Sequence, residues 1–324
     1  MQEGLVIRTT GSWYRVLLAA PLGSGQQYDC RLRGNYRLRG NKQTNPVAVG
    51  DRVCFELQDD GTGVIHEVQD RTNYIVRRAT KLSKQTHVIA ANIDLLCIVA
   101  TLGLPRTSTG FIDRLLVTAE AYHIPACILF NKCDLLVDDE LKALQEGLSA
   151  MYRAAGYPVL EISALEGTGL DAVKEMIAGK TVLFSGHSGV GKSALLNVLC
   201  PGLDLRVGEL SDWSLKGRHT TTFAEIHPVT LNTEHLTLNT EHLTLNTYLI
   251  DTPGIKEFGM VDFNAQELSH FFPEMRAVLH DCRFANCTHR HEPGCAVMAA
   301  VDDGRISAER YHNYLNILED INGN

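Results

Sequence analysis

An apolar run, Thr181-Val182-Leu183-Phe184-Ser185, leads directly into Gly186-His187-Ser188-Gly189-Val190-Gly191-Lys192-Ser193 and then into Ala194 to Leu199, which is patterned as a helix. A short buried strand, a glycine-rich turn and a helix in that order commit the chain to a parallel α/β sheet. In a loop of the form G-x-x-x-x-G-K-S the glycines let consecutive backbone N–H groups curl around phosphate oxygens. Lys192 offers a cation to the β and γ phosphates, and Ser193 offers its hydroxyl to Mg²⁺. The helix N-terminus, from Ala194 on, adds its dipole to the same anion.

A second strand decides which base accompanies those phosphates. Cys127-Ile128-Leu129-Phe130 ends in Asn131-Lys132-Cys133-Asp134, which places polar side chains at the carboxyl end of a strand, where open α/β sheets bind ligands. A carboxylate at Asp134 accepts from both N1–H and the exocyclic amine of guanine, a donor pair that adenine lacks, so a guanine nucleotide is expected and ATP is rejected. The Lys132 stem covers the base plane. Ser163-Ala164 follows a strand expected over Pro158 to Ile162 and extends the base site. Asp251-Thr252-Pro253-Gly254 follows the strand Tyr248 to Ile250; Asp251 suits a metal-bound water and the Gly254 N–H suits the γ phosphate. Thr220-Thr221-Thr222 supplies the other phosphate sensor, with Thr221 favoured as the Mg²⁺-linked hydroxyl. The base-reading half thus precedes the phosphate-reading half along the chain.

That order, together with a preceding run of short strands and a following cysteine and histidine cluster, resembles the circularly permuted, ribosome-small-subunit-dependent GTPases of the RsgA/YjeQ family over essentially the whole chain. Permutation is physically permissible because a nucleotide site is built from strand ends in space, and rejoining termini leaves those ends in place. The resemblance implies an N-terminal OB-type β-barrel that binds rRNA, a central permuted P-loop GTPase domain with a doubly wound sheet, and a C-terminal, mostly helical zinc-binding module. The expected boundaries are 1–70, 71–262 and 263–324. It further implies hydrolysis of GTP to GDP and phosphate, stimulated by the small ribosomal subunit, in late maturation of that subunit.

Ile255 stands after Gly254, where a water-orienting glutamine would ordinarily sit, so slow hydrolysis by the isolated protein is expected. His219, or a group delivered by the ribosome, is the hypothesis for completing the site. Beyond the switches, Cys282, Cys287, His289 and Cys295 read C-x4-C-x-H-x5-C. Three thiolates and an imidazole this close favour one closed, structural Zn²⁺ site, a spacing that also matches the family's zinc site. His280 and His291 are alternative histidine ligands.

The chain has 324 residues, nine cysteines and a net charge of −8. Cys97 and Cys127 fall inside apolar strands, so structural disulfides are not expected. Neither a leader at Met1 to Leu5 nor a membrane span is visible, so a cytoplasmic protein is expected; without a heptad pattern, so is a monomer. Residues 1 to 90 carry 13 Lys and Arg against 8 Asp and Glu, leaving 17 against 30 for the remainder. Arg31, Arg33, Arg37, Arg39 and Lys42 form one basic cluster, and Arg71, Arg77, Arg78, Lys81 and Lys84 a second, and local clusters attract phosphate backbones even on an acidic protein.

Alternating patterns give barrel strands at Leu5 to Thr9, Trp13 to Leu18, Tyr28 to Leu32, Arg52 to Leu57 and Gly63 to Val68. Trp13, Tyr14 and Tyr36 are possible stacking platforms for bases, with Trp13 favoured as core. In the central region a strand is expected at Ile93 to Ala100 and helices at Phe111 to Tyr122, Glu140 to Ala155 and Leu170 to Ile177, with a last helix near Ala308 to Leu318. The heptapeptide Thr230-Leu231-Asn232-Thr233-Glu234-His235-Leu236 repeats from Thr237 and reads as a lengthened hairpin, not a metal site. Two other functions fit parts of this pattern: a GTP-sensing RNA-binding factor with incidental hydrolysis, which Ile255 favours, and a general P-loop ATPase, which Asp134 opposes.

Overall fold

The computed structural model describes residues 1–19, 25–34, 45–78, 86–200, 224–230, 246–251 and 264–322. Five strands come first: β1 (Gln2–Thr10), β2 (Trp13–Leu18), β3 (Gln27–Leu32), β4 (Arg52–Leu57) and β5 (Gly63–Val68). They pair in the order β1-β2-β3-β5-β4, and β4 returns to β1 to close a barrel. Alternation along each strand sends Val6, Tyr14, Val16, Cys30, Val53, Phe55 and Ile65 inward, which is what fills a barrel of this size. The expectation for the first aromatic pair is reversed. Tyr14 is buried, whereas Trp13 is half-buried on the outside with the Arg31 guanidinium 3.9 Å from its ring.

A two-stranded hairpin, β6 (Tyr74–Arg78) and β7 (Thr86–Ala91), follows the barrel and had no counterpart in the sequence reading. Its end is tied back to the segment before β4: Asn92 Nδ2 donates to Gly50 O, and Val49 bridges Ala90. Arg71 does not belong to a free basic cluster, because its guanidinium is engaged bidentately by the buried Asp51 at 2.7 and 2.8 Å. Arg37, Arg39, Lys42, Lys81, Lys84 and Tyr36 lie outside the described residues, as do the side chains of Arg77 and Arg78.

Strand and helix then alternate as β8 (Leu95–Ala100), α1 (Thr109–Ala121), β9 (Ala126–Phe130), α2 (Asp139–Ala154), β10 (Val159–Glu161), α3 (Leu170–Ile177), β11 (Thr181–Ser185) and α4 (Lys192–Leu199). β12 (Glu225–Thr230) and β13 (Asn246–Asp251) come next, then α5 (Pro273–Arg276), α6 (Ala296–Asp302) and α7 (Ala308–Asn322). The last helix runs a full turn past its expected end at Leu318, because Ile321 still packs against the C-terminal core.

Two compact units result: Met1–Leu95 with Lys174–Ser185 and Leu199–Gly259, and Leu96–Val173 with Gly186–Val198 and Met260–Asn324. Within the first, β13 pairs parallel with β11 and antiparallel with β12, and β12 meets β1 at Arg8 opposite Glu225. Within the second, β8, β9 and β10 run parallel in the order β10-β9-β8, with Ile98, Ile128 and Val159 in register. Every residue of β8 and β9 is buried, as strands covered on both faces require.

The C-terminal helices do not build a core alone. Leu268, Phe272, Met275, Val297, Ala300, Tyr314, Ile317 and Leu318 cluster with Val117 of α1. Beside that cluster lies a buried charge network. Arg310 of α7 donates to Asp113 of α1 at 2.5 Å and to both oxygens of Glu274 on α5 at 2.7 and 3.1 Å, and Asn313 Nδ2 donates to the other Asp113 oxygen. Helical spacing puts Arg310 on the buried face of α7 with Asn313, Tyr314, Ile317 and Leu318, but a cation there gives no apolar signal of burial.

Candidate nucleotide site and metal centre

The phosphate loop opens where β11 ends. Gly186 and Gly191 are glycines by necessity: both have positive φ, and a side chain at Gly186 would strike Val99 O, while one at Gly191 would strike Asn131 Nδ2. Val190 is buried and anchors the loop from beneath, whereas Ser188 and Gly189 are exposed. Lys192 Nζ donates to Gly186 O at 2.5 Å and His187 O at 2.8 Å, so the ammonium lies across the mouth of the loop. Ser193 and Ala194, in the first turn of α4, are half-buried there. Burial and the neighbouring Lys192 cation hold the His187 imidazole below the ordinary histidine range, and its ring stacks on Phe111 of α1 with centroids 3.7 Å apart.

The other half arrives from β9 and β10. Asn131 is buried; its Nδ2 donates to Val190 O at 2.8 Å and its Oδ1 accepts from Ala164 N at 3.0 Å. One amide therefore joins the phosphate loop, the N-K-x-D turn and the S-A turn. Ser163 Oγ donates to Asp134 Oδ1 at 2.5 Å and accepts from Glu166 N, which fixes the carboxylate in one orientation. Lys132 adopts a left-handed backbone at φ 65°, and its Nζ reaches Leu104 O at 3.0 Å, so its stem extends from the turn toward the loop after β8. Burial pushes the Cys133 thiol up, with the Asp134 carboxylate adding to the shift, so it stays protonated. Leu104 O and Phe111 are participants that no motif announced; a backbone carbonyl and a lone aromatic leave no signature in one sequence.

Asp251 closes β13, opposite Glu225, and its side chain lies outside the described residues. So do His219, Thr220, Thr221, Thr222, Gly254 and Ile255, and most of the heptapeptide repeat.

The cysteine cluster is assembled as its spacing predicts. The ligand atoms of Cys282, Cys287, His289 and Cys295 all lie within 4.8 Å of one another, with His289 Nδ1 3.7 Å from Cys282 Sγ and 3.4 Å from Cys295 Sγ. Tetrahedral Zn²⁺ with Zn–S bonds near 2.3 Å sets its ligand atoms about 3.5 to 4 Å apart, so the donor set and its size fit a closed zinc site. His280 and His291, the alternative ligands, stand apart from it; His280 faces Asp281. Outer contacts fix the ligand loop. Tyr311 OH donates to His289 O at 2.6 Å, Tyr314 OH donates to Thr288 O at 2.9 Å, and Glu292 accepts from Thr288 N and Arg290 N. Burial pushes the Cys287 thiol up to about 12, a cost that a bound cation offsets by favouring the thiolate.

Residues 68–261 match the family described as RsgA GTPase, and residues 3–65 match the RsgA N-terminal domain. The chain belongs to the RsgA GTPase family. A relative from Bacteroides thetaiotaomicron, Small ribosomal subunit biogenesis GTPase RsgA 2, is 50% identical over 318 residues, covering 98% of this chain and 96% of its own length. A second, from Flavobacterium johnsoniae and named Small ribosomal subunit biogenesis GTPase RsgA, is 45% identical, covering 98% of this chain and 92% of its own. Among solved structures, YjeQ from Thermotoga maritima superposes with a TM-score of 0.78 at 32% identity, covering 100% of this chain and 99% of its own. YloQ, titled a circularly permuted GTPase, gives 0.73 at 29%, covering 100% of this chain and 96% of its own. RsgA membership makes the chain a GTPase and accounts for the permuted motif order, the N-terminal barrel and the cluster-bearing helical end.

Proposed function

We propose that this protein hydrolyses GTP under stimulation by the small ribosomal subunit and serves late in maturation of that subunit, binding its rRNA through the barrel. The observation that carries the reading is the Asn131 amide, which ties the guanine-reading turns to the phosphate loop within one compact unit. The names of its relatives, which describe small-subunit biogenesis GTPases, support the partner.

In this reading Asn131, Lys132, Cys133, Asp134, Ser163 and Ala164 hold the base. Asp134 accepts from N1–H and the exocyclic amine, and Lys132 covers one face. Gly186, His187, Ser188, Gly189, Val190, Gly191, Lys192, Ser193 and Ala194 hold the phosphates through backbone N–H groups, the Lys192 cation and the helix N-terminus. Mg²⁺, when bound, neutralises charge building on the β and γ oxygens, with Ser193 and Thr221 as its protein hydroxyls. Asp251, Gly254 and Thr221 sense the γ phosphate, and His219 or a ribosomal group orients the attacking water in place of the glutamine that Ile255 replaces. Cys282, Cys287, His289 and Cys295 hold one structural Zn²⁺.

Division into domains at 1–70, 71–262 and 263–324 belongs to the same proposal. Residence in the cytoplasm as a monomer is part of the same proposal; no helix among the described residues is long and apolar enough to cross a membrane.

The test is GTP hydrolysis by the purified protein titrated with small subunits, with Lys192→Ala as control. Turnover should rise on the order of ten-fold or more with subunits and vanish in the control. Tight GTP binding with turnover indifferent to subunits would overturn the proposal in favour of a GTP sensor.

A further inference from the structure

From the end of β8 into the first turn of α1 runs a segment, Val99–Phe111, that carries none of the nucleotide signatures and yet meets both of their halves. On the base side, Ala100 O accepts from Asn131 N at 2.8 Å, and Leu104 O accepts from Lys132 Nζ at 3.0 Å. On the phosphate side, Val99 O occupies the space a Gly186 side chain would need, and the Phe111 ring stacks on His187 with an interplanar angle of 27°.

Phe111 stands on a rigid base. The loop before it is closed by Thr107 N donating to Thr101 O and Thr101 N donating to Thr107 Oγ1, at 2.8 and 3.1 Å. Ser108 caps α1 and accepts from Phe111 N itself. Two residues on, Asp113 is gripped by the buried Arg310 and Asn313. His187, by contrast, sits in a loop that contains Gly186, Gly189 and Gly191, all at positive φ, where the backbone has little intrinsic stiffness.

We propose that Phe111 is a positioning residue for the phosphate loop: its ring holds His187, and thereby the backbone N–H groups that follow it, in the conformation that receives the phosphates. This rests on the guanine-nucleotide reading of the same site. With burial and Lys192 holding the imidazole neutral, the contact is an aromatic stacking pair and not a cation–π one. A loop ordered in advance loses less entropy on binding, so the ring raises affinity for phosphates. It leaves base recognition alone, because Asp134 is oriented by Ser163 and not by α1.

The experiment measures binding of fluorescent GDP to the full-length protein, with GTP and ITP as competitors, for wild type and Phe111→Ala, Phe111→Leu and Phe111→Tyr. ITP lacks the exocyclic amine, so the ratio of GTP to ITP affinity reports the base side alone. Loss of the ring should weaken GDP and GTP about five-fold, with the GTP to ITP ratio unchanged. Phe111→Leu keeps apolar volume and should match Phe111→Ala, and Phe111→Tyr should restore wild-type binding. Wild-type affinity in Phe111→Leu, a shifted ratio, or failure of Phe111→Tyr to rescue would each overturn the assignment while leaving the nucleotide site intact. Absence of guanine-nucleotide binding by the folded wild type would overturn both.

Discussion

The nucleotide site and the cysteine cluster are assembled by opposite strategies. Asn131 and Val190 meet across 59 residues of sequence, and Ser163 and Asp134 across 29. In the cluster, Cys282 and His289 are 7 apart and His289 and Cys295 only 6. Long-range contacts of the first kind take their geometry from the ends of buried strands, so the order in which the chain visits those ends is immaterial, and a permuted GTPase keeps its site. Local contacts of the second kind have little regular structure to inherit from. Cys295 caps α6, but Cys282, Cys287 and His289 sit in turns, His289 at a positive φ of 57°.

The sharpest way to break this contrast is metal removal. A structural zinc site of this type contributes on the order of 10 kcal/mol to folding of its surroundings. Metal analysis should find about one zinc per chain, a number set by the four-ligand donor set. Chelation, or Cys287→Ser, should abolish amide-exchange protection around Cys282 to Ala300 while residues 126 to 131 of the strand keep theirs. Equal loss in both regions would mean that the nucleotide site depends on the metal as heavily as the cluster does.

Asp134→Asn probes the other side. It leaves the turn intact and removes the acceptor pair for guanine, so GTP affinity should fall about a thousand-fold, with XTP replacing GTP because xanthine offers a carbonyl where guanine offers its amine. Competition between the two nucleotides measures this. Retained GTP preference would place the base elsewhere.

The same contrast explains what could be read from sequence. The phosphate loop, the N-K-x-D turn and the cluster were legible because each packs its chemistry into a few adjacent residues, and β2, β4, β5, β11 and α3 fall at their expected bounds because their patterning is clean. The β6 and β7 hairpin was not, since it sits in a basic segment read for charge. Arg310 was not, because a buried cation is defined by partners on other helices. Trp13 and Tyr14 were assigned to the wrong faces, although strict alternation from the inward Val16 already places Tyr14 inside and Trp13 outside.

Arg310→Met sharpens the comparison at the point where the C-terminal helices join α1. Removing a fully buried cation leaves Asp113 and Glu274 unpaired, which costs about 3 to 5 kcal/mol. Burial already pushes the Asp113 carboxyl up, while Arg310 and Asn313 pull it back. Without Arg310 that upward shift grows. An acid whose folded pKa lies above its unfolded value stabilises the fold below the unfolded pKa and loses that contribution as pH rises through the folded one. The deficit of Arg310→Met relative to wild type should therefore shrink on acidification, as measured by denaturant unfolding across pH; a deficit that is flat with pH would show that lost packing dominates.

Ser163→Ala carries the smallest expected effect and discriminates most finely. Ser163 Oγ donates to the carboxylate of Asp134, the proposed guanine acceptor, and accepts from Glu166 N in the same turn. Losing a hydrogen bond to a charged group costs about 1.5 to 3 kcal/mol, but although Ser163 is buried the Asp134 carboxylate is half-buried and water reaches it, so GTP affinity should weaken only about five- to ten-fold. Exchange protection around the cysteine cluster should not change at all, since no contact of Ser163 leads there. A loss as large as that of Asp134→Asn would mean that orientation of the carboxylate, and not its charge, carries guanine recognition; in that event the long-range site would be as dependent on one local contact as the cysteine cluster would be on a bound metal.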